Sequence, residues 1–369
     1  MKILFDIGHP AHVHIFRNLA KELEKQGHTI LFTCREKECT IELLKNFDLP
    51  YKSFGHPFKK GIGKIWGLFV FNTKMLKILL RFKPDITLGH SSMYAAQMSW
   101  LLGIPHISME DTGNMEQVRL YKPFTKAILV PESFNKNLGG RQIAYKGNHE
   151  LAYLHPSRFK LDPSILKDLQ IKPGEPYVIL RFVAWNASHD SGHGGIRLKN
   201  KLKAIKLFSE HARIFISSEA ELPSELEKYR LKTKPAQLHD VIAYASLLFG
   251  ESATMASEAA ILGVPGIFIN NTSICYTREE EDNYGLVFNF TESEEDQVKA
   301  IEKGLEIITT VGIKEEWAIR RQKMLNDKID VTAFLVWFVE NWPESFKVMK
   351  EKGEWEERFR SLGTKGLRD

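Results

Sequence analysis

The sequence predicts an α/β protein of two domains, each built on its own mostly parallel sheet. Three observations carry that prediction. Short apolar stretches of strand length alternate with stretches of helical spacing from the first residues onward, the pattern of repeated βαβ units. The alternation pauses in a Pro- and Gly-containing stretch at 161–176 and then starts again. At 369 residues the chain has room for two domains of ordinary size.

Residues 2–7, KILFDI, read as the first strand. Residues 13–26 place Ile15, Phe16, Leu19 and Leu23 at helical spacing and stop at Gly27. A strand at 29–33 follows, then helical stretches at 41–46 and over much of 65–82. A strand at 85–88, a helix at 93–102 closed by Gly103, and strands at 106–109 and 127–130 complete the first series. The stretch 161–176, with Asp162-Pro163 and Pro173-Gly174, reads as a linker. The second series runs strand 177–183, helix 195–210, strand 212–217, short helix 240–245, strand 247–249, helix 253–262 ended by Gly263, and strand 266–269. From 292 onward the pattern is almost wholly helical. The expected domains are therefore 1–160 and 175–325, followed by helices over 326–369. In such sheets ligands sit outside the carboxyl ends of the strands, and two domains point to a cleft between them.

Composition excludes several classes. Hydrophobic residues make up 43% and charged residues 26%, which excludes a largely disordered chain, a collagen and a disulfide scaffold. The three cysteines, Cys34, Cys39 and Cys275, form no CxxC pair and suit a reducing cytoplasm. The longest apolar run, 65–71, falls far short of the ~20 residues that span a bilayer. Asp6 interrupts the N-terminus where a signal peptide needs an apolar core. The expectation is a cytoplasmic protein. Charge is uneven: residues 1–150 carry 21 Lys/Arg against 13 Asp/Glu, and the remainder 30 against 33. The excess peaks over 58–84, with seven basic residues, no acidic one, and Trp66, Leu68, Phe69, Phe71 and Leu79 among them. That stretch reads either as a solvated helix with a core face or as a peripheral contact with the inner, anionic face of the cytoplasmic membrane. No nucleic-acid partner is expected.

Four stretches carry chemistry. Gly8-His9-Pro10-Ala11-His12-Val13-His14 follows the first strand and opens a helix. Its glycine spacing is wrong for a dinucleotide fingerprint. Three histidines in six residues offer a general base, His12 or His14, with His9 on the acceptor side; capping and packing are the plain alternative for each. No carboxylate lies at helical spacing from them, so no metal is expected. The second stretch, 250–265, follows strand 247–249. Ser252, Ala253 and Thr254 are small enough for a phosphate to reach the helix-start amides, and Glu258 lies one turn on, where it suits a ribose diol. The third, 181–195, is a polar, glycine-rich strand-end loop in which Arg181 or His189 would neutralise a diphosphate without a metal. The fourth, Met109-Glu110-Asp111-Thr112, offers paired carboxylates for a base or, alternatively, a helix cap. His90 and Ser91, after strand 85–88, lie on the same predicted edge and either line an acceptor pocket or cap the next helix.

The run Glu258-Ala259-Ala260-Ile261-Leu262-Gly263-Val264-Pro265 resembles the E-A-x-x-x-G-x-P nucleotide-sugar signature of GT-B glycosyltransferases and the related UDP-N-acetylglucosamine 2-epimerases. Residues 238–245 resemble the short helix before that strand in the same enzymes. Over roughly 1–340 the chain resembles a family of predicted glycosyltransferases, domain of unknown function family 354, through the 8–14 motif and Arg181-Phe182-Val183-Ala184-Trp185-Asn186-Ala187-Ser188-His189-Asp190. The resemblance implies a GT-B architecture: two Rossmann-like domains facing a central cleft, with the last helices crossing back to the first domain. It implies that Glu258 holds the ribose, that the 252–254 turn holds the diphosphate, that residues 237–239, including His239, face the base, and that the N-terminal half binds the acceptor.

The expected activity is a metal-independent glycosyltransferase. It moves a sugar from a nucleotide diphosphate, most simply a UDP-sugar, to a glycan or lipid-linked glycan, and it needs no cofactor. His12, His14 or Asp111 is the candidate base. A UDP-N-acetylhexosamine 2-epimerase or sugar-nucleotide hydrolase is the second reading; it needs carboxylates converging on the donor sugar, for which Asp6, Glu110, Asp111 and Glu251 are the candidates. A non-catalytic sugar-nucleotide-binding protein is the third. The chain is expected as a monomer or homodimer.

Overall fold

The computed structural model describes residues 1–56, 62–172, 174–182, 194–218, 221–351 and 355–360. They fall into two compact units, Met1–Arg158 with Lys328–Asp369, and Phe159–Asp327.

In the first unit β1 (Lys2–Ile7) is followed by α1 (Pro10–Lys25), β2 (Thr29–Cys34), α2 (Thr40–Asn46), β3 (Tyr51–Ser53), α3 (Ile62–Phe82), β4 (Ile86–His90) and α4 (Met93–Leu101). Then come β5 (His106–Met109), α5 (Met115–Tyr121), β6 (Ala127–Pro131), β7 (Gln142–Tyr145) and α6 (Leu151–Leu154). All pairings are parallel, in the order β3-β2-β1-β4-β5-β6-β7. Strands such as β1 and β6 are buried almost throughout, as parallel strands covered on both faces must be. The order reverses between β1 and β4, so the loops after β1, β2, β4 and β5 share one edge at the switch point.

The start of α1 is set by chemistry. His9 is extended and caps the helix by accepting from the Ala11 N–H, and Pro10 takes the first helical position. Val13, Phe16, Leu19, Ala20 and Leu23 form its buried stripe, and Gly27 (φ 87°) turns the chain into β2. Helix α3 packs Phe71, Met75 and Leu79 against Leu4, Phe54 and Ala95. It leaves Trp66 and Phe69 exposed at 58% and 65%. Among the described residues no helix is long and apolar enough to cross a membrane.

The second unit holds α7 (Ser164–Asp168), β8 (Tyr177–Phe182), α8 (Leu198–Ser209), β9 (Arg213–Ser218), α9 (Leu238–Ala243), β10 (Leu247–Gly250) and α10 (Ala253–Leu262). It continues through β11 (Gly266–Ile269), α11 (Cys275–Asp282), β12 (Val287–Phe290), α12 (Glu294–Thr309) and α13 (Ile313–Asp327). Its parallel sheet has the order β12-β11-β10-β8-β9, with the switch point between β8 and β10. Helix α10 ends at Gly263 (φ 84°), whose N–H and that of Val264 return to Ala260 and Ala259, a Schellman closure.

The remaining helices, α14 (Val331–Glu340) and α15 (Glu344–Glu351), belong to the first unit. Helix α14 packs on α1 and α6. Its Phe334, Leu335 and Phe338 are wholly buried, each contributing about 1.5–3 kcal/mol of burial.

Three strands, β3, β7 and β12, escaped the sequence reading. Three-residue β3 is polar, β7 alternates buried Ile143 and Tyr145 with half-buried Gln142 and exposed Ala144 over only four residues, and β12 is fully buried only at Val287. The stretch 161–176 is not a plain linker: Ile165 and Leu169 are buried in the second unit and α7 packs on α9.

Candidate functional site

The site of the first unit is built on the carboxyl ends of four strands. At its base lies Asp6, the last residues of β1 being fully buried. Its carboxylate accepts from Arg35 Nη1 (2.9 and 3.2 Å), Thr33 Oγ1 (2.7 Å) and Ser92 Oγ. Gly89 stands beside Asp6 in the ladder, and a Cβ there would lie 2.6 Å from that of Ser92. A larger residue would push Ser92 off the carboxylate.

Above Asp6 sit the histidines. The Gly8 N–H donates to His12 Nδ1 at 3.2 Å. That bond leaves the His12 proton on Nε2, so the ring is a donor. Burial, then the His90, His9 and Arg35 charges, hold its pKa well below the ordinary value, with Asp111 opposing. The ring stacks on His90 with centroids 4.5 Å apart.

His90 Nε2 meets Asp111 Oδ1 at 3.0 Å, and His149 Nδ1 meets Asp111 Oδ2 at 3.1 Å. All three residues are buried. Burial alone would raise the Asp111 pKa; the His149 and His90 charges and hydrogen bonds outweigh it and keep the carboxyl well below its usual range. Burial would likewise lower His90, but the Asp111 charge and hydrogen bond raise it above the ordinary histidine value. For His149 burial wins over Asp111, and the ring stays neutral. One ionised carboxylate therefore holds one basic ring and one neutral ring. Two histidines and a carboxylate with ligand atoms within 4.8 Å are also the makings of a metal site. Here each ring faces a different oxygen of Asp111, His90 through a hydrogen bond and His149 at ion-pair distance.

Glu110 is wholly buried and engaged on both oxygens. Oε1 accepts from Thr112 N, Thr112 Oγ1 and Gly113 N (2.8–2.9 Å), and Oε2 from Ser91 Oγ and Tyr121 Oη at 2.6 Å. Burial would raise its pKa; the His90 charge and the hydrogen bonds from Ser91, Tyr121 and Thr112 lower it. Ser91, held at φ 50°, is turned toward it by this contact.

Of these groups, His12, Arg35, His90, Ser91 and Ser92 line a cavity of about 670 Å³. His9, His12, Arg35, Lys37, His90 and Ser92 make its polar side; Leu68, Phe71, Met93, Tyr94 and Leu120 make the apolar one.

In the second unit the β10 end and the α10 start form the counterpart. Gly250 lies opposite Arg181 in the ladder, and a Cβ there would fall 2.1 Å from the Arg181 carbonyl oxygen, so only glycine lets the strands close. Ser252 caps α10 by accepting from the Met255 N–H, and Ser252, Ala253 and Thr254 are partly exposed. Glu258 accepts from His239 Nε2 at 2.9 Å, and both are buried. Glu251 accepts from the Ile196 N–H at 2.6 Å and pairs with buried Lys201. Arg181 Nη1 donates to Ser217 Oγ across the strand ends.

The structure thus brings His9, His12, His90, Ser91, Glu110 and Asp111 together, and Arg181, His239, Ser252, Ala253, Thr254 and Glu258 within the other unit. His14 is a correction: two residues on a helix turn about 200°, which carries it away from His12 to pack between Phe47 and Tyr153. His189 and most of the 181–195 loop lie outside the described residues. The cap reading of Asp111 also falls, since Asn114 caps α5. Sequence reasoning missed His149 and Arg35. His149 follows the unread strand β7, and nothing local links it to Asp111. Arg35 could have been found as a cation directly after a parallel strand.

The model of the family described as "Protein of unknown function (DUF354)" matches residues 1–309. An uncharacterised protein of Methanocaldococcus jannaschii is 27% identical over 295 residues, 76% of this chain and 83% of that one. Among solved structures, the UDP-GlcNAc 2-epimerase of Methanocaldococcus jannaschii in complex with UDP-GlcNAc and UDP is similar at TM-score 0.62 and 16% identity, covering 88% of this chain and 99% of that one. The spinosyn rhamnosyltransferase SpnG, complexed with spinosyn aglycone, is similar at TM-score 0.58 and 14% identity, covering 92% and 100%. These likenesses show the fold, which is GT-B.

Proposed function

The chain belongs to the DUF354 family, and from that premise we propose that it is a metal-independent glycosyltransferase. It moves a sugar from a nucleotide diphosphate, most simply a UDP-sugar, to a hydroxyl of a glycan or lipid-linked glycan in cell-surface polysaccharide synthesis. The second unit holds the donor, Glu258 taking the ribose and the α10 amides at 253–254 the diphosphate. The first unit holds the acceptor.

The observation that carries this reading is the first unit's cavity, about 670 Å³, with His90 in its wall and Asp111 bonded to that ring from behind. That is room for a second substrate. His90, its Nε2–H bound to Asp111, is the base: its other ring nitrogen takes the acceptor hydroxyl proton as that oxygen bonds to the sugar's anomeric carbon. The bond from that carbon to the diphosphate breaks, and the electron pair leaves with the nucleoside diphosphate. His12, as a neutral donor, does not serve as base.

The carboxylates favour transfer over epimerisation. Asp6, Glu110, Asp111 and Glu251 all accept from groups of the chain itself, whereas an epimerase needs them directed at the donor sugar. The exposed Trp66, Phe69 and Leu80 of α3, with exposed Lys77 and Arg81, support peripheral contact with an anionic membrane.

Thermal shift against nucleotides and nucleotide sugars tests the donor half. Saturating UDP at a hundredfold excess over Kd should stabilise the protein by about 2.7 kcal/mol, and Glu258→Ala should abolish the shift. No shift with any nucleotide would refute the proposal. Conversion of UDP-GlcNAc to its 2-epimer without acceptor would establish the second reading instead.

A further inference from the structure

The cavity of the first unit contains a cation whose donors are only partly used. Arg35 is held at one end: Nη1 bonds both oxygens of buried Asp6, and the guanidinium lies 5.0 Å from the Tyr94 ring centre. Its side chain is 11% exposed. Among the described residues Nε and Nη2 donate to nothing, although Arg35 lines the cavity. Nη2 lies beside Gly8, where a Cβ would come within 2.8 Å of it and 3.6 Å of the His12 ring. His12, its Nδ1 occupied by the Gly8 N–H, presents Nε2–H from the same wall. Lys37 also lines the cavity. The acidic groups nearby are already paired, two of them with these cations. Asp6 serves Arg35, Thr33 and Ser92, Glu38 lies against Lys37 and His9, and Asp111 holds His90 and His149.

We propose that Arg35 Nη2 and Nε, the His12 Nε2–H and Lys37 form an anion subsite around Gly8, and that the acceptor is a phosphate ester whose phosphate it holds. A pre-positioned guanidinium with two donor nitrogens unused suits phosphate geometry. The opposite wall of Leu68, Phe71, Met93 and Leu120 takes the apolar part of the ester. This inference rests on the acceptor occupying the first unit.

Calorimetric titration of the full chain with farnesyl phosphate, farnesol, glucose 1-phosphate and UDP tests it. Gly8→Ala fills the subsite and crowds Arg35 Nη2, the nitrogen that does not hold Asp6. Arg35→Lys keeps the charge for Asp6 and removes the fork. Both should weaken phosphate-ester binding about tenfold or more and leave UDP affinity unchanged. Loss of farnesyl phosphate binding identifies a lipid phosphate; loss of glucose 1-phosphate binding alone identifies a soluble sugar phosphate. Farnesol binding as tightly as farnesyl phosphate, or unchanged phosphate affinity in both variants, would overturn the subsite. An equal loss of UDP binding would overturn it as well, because the anion would then belong to the donor. If Glu258→Ala leaves UDP binding intact, the donor assignment fails while the subsite stands.

Discussion

Replacing Glu110 by Gln tests whether this carboxylate is an anchor or a reagent. The structure permits an isosteric answer. The amide oxygen keeps the three donors on Oε1, from Thr112 N, Thr112 Oγ1 and Gly113 N. The amide nitrogen can donate to Ser91 Oγ and Tyr121 Oη once those hydroxyls turn. Bond count is preserved and only charge is lost. Charge-assisted bonds are roughly twice as strong as neutral ones, but the variant also escapes the cost of burying a carboxylate. The lowered pKa of Glu110 says the charged form is the net winner, so Glu110→Gln should destabilise by about 1–3 kcal/mol. Glu110→Ala orphans the buried donors of Ser91, Gly113 and Tyr121 and should cost roughly 3–6 kcal/mol. The assay is urea unfolding at several pH values, with UDP binding measured on the same samples. Because the folded pKa is depressed, the charge contributes fully above the ordinary value of 4.5 and is lost as pH falls through the folded value. The gap between wild type and Glu110→Gln should therefore narrow below pH 4.5. A Glu110→Gln protein as stable as wild type at pH 7, but unable to turn over a nucleotide sugar, would refute the anchoring argument and favour the epimerase reading.

Further outcomes follow from other contacts. Asp111→Asn removes the charge that raises His90. Wild-type transfer should rise with pH through a midpoint above 6.5, and in the variant that limb should move to lower pH, with a rate loss on the order of 10²–10⁴. His106 is wholly buried against Thr87, and burial lowers its pKa to about 3, with Asp6 opposing weakly. Below pH 6.5 the unfolded chain takes up a proton that folded His106 refuses, so stability should fall by about 2 kcal/mol between pH 6.5 and 5 from this group alone; flat urea midpoints over that range would contradict it. Gly250→Ala, with its Cβ 2.1 Å from the Arg181 carbonyl, forces β8 and β10 apart. It should cost more than about 3 kcal/mol, seen as a lower melting temperature with UDP binding lost. Chelators should leave transfer unchanged; loss restored by a divalent ion would place a metal on His90, Asp111 and His149.

What the sequence alone determined is local. The apolar period of α1, the continuous apolar runs of β1 and β6, and the Gly27 and Gly263 stops are written in adjacent residues, because helices and buried parallel strands impose their own spacing. The E-A-x-x-x-G-x-P run marked α10 in the same way. The polar pairings were not legible. Asp111 meets His149 across 38 positions of sequence and Asp6 meets Ser92 across 86, and only the parallel register brings those strand ends to one edge. Burial decided the rest. It turned Glu110 from an apparent base into an anchor, made His12 a donor by giving its Nδ1 to Gly8, and left His90, read from sequence as an acceptor-pocket residue or a helix cap, as the ring Asp111 makes basic. Desolvation and hydrogen-bond direction depend on what surrounds a side chain in three dimensions, and spacing along the chain carries neither.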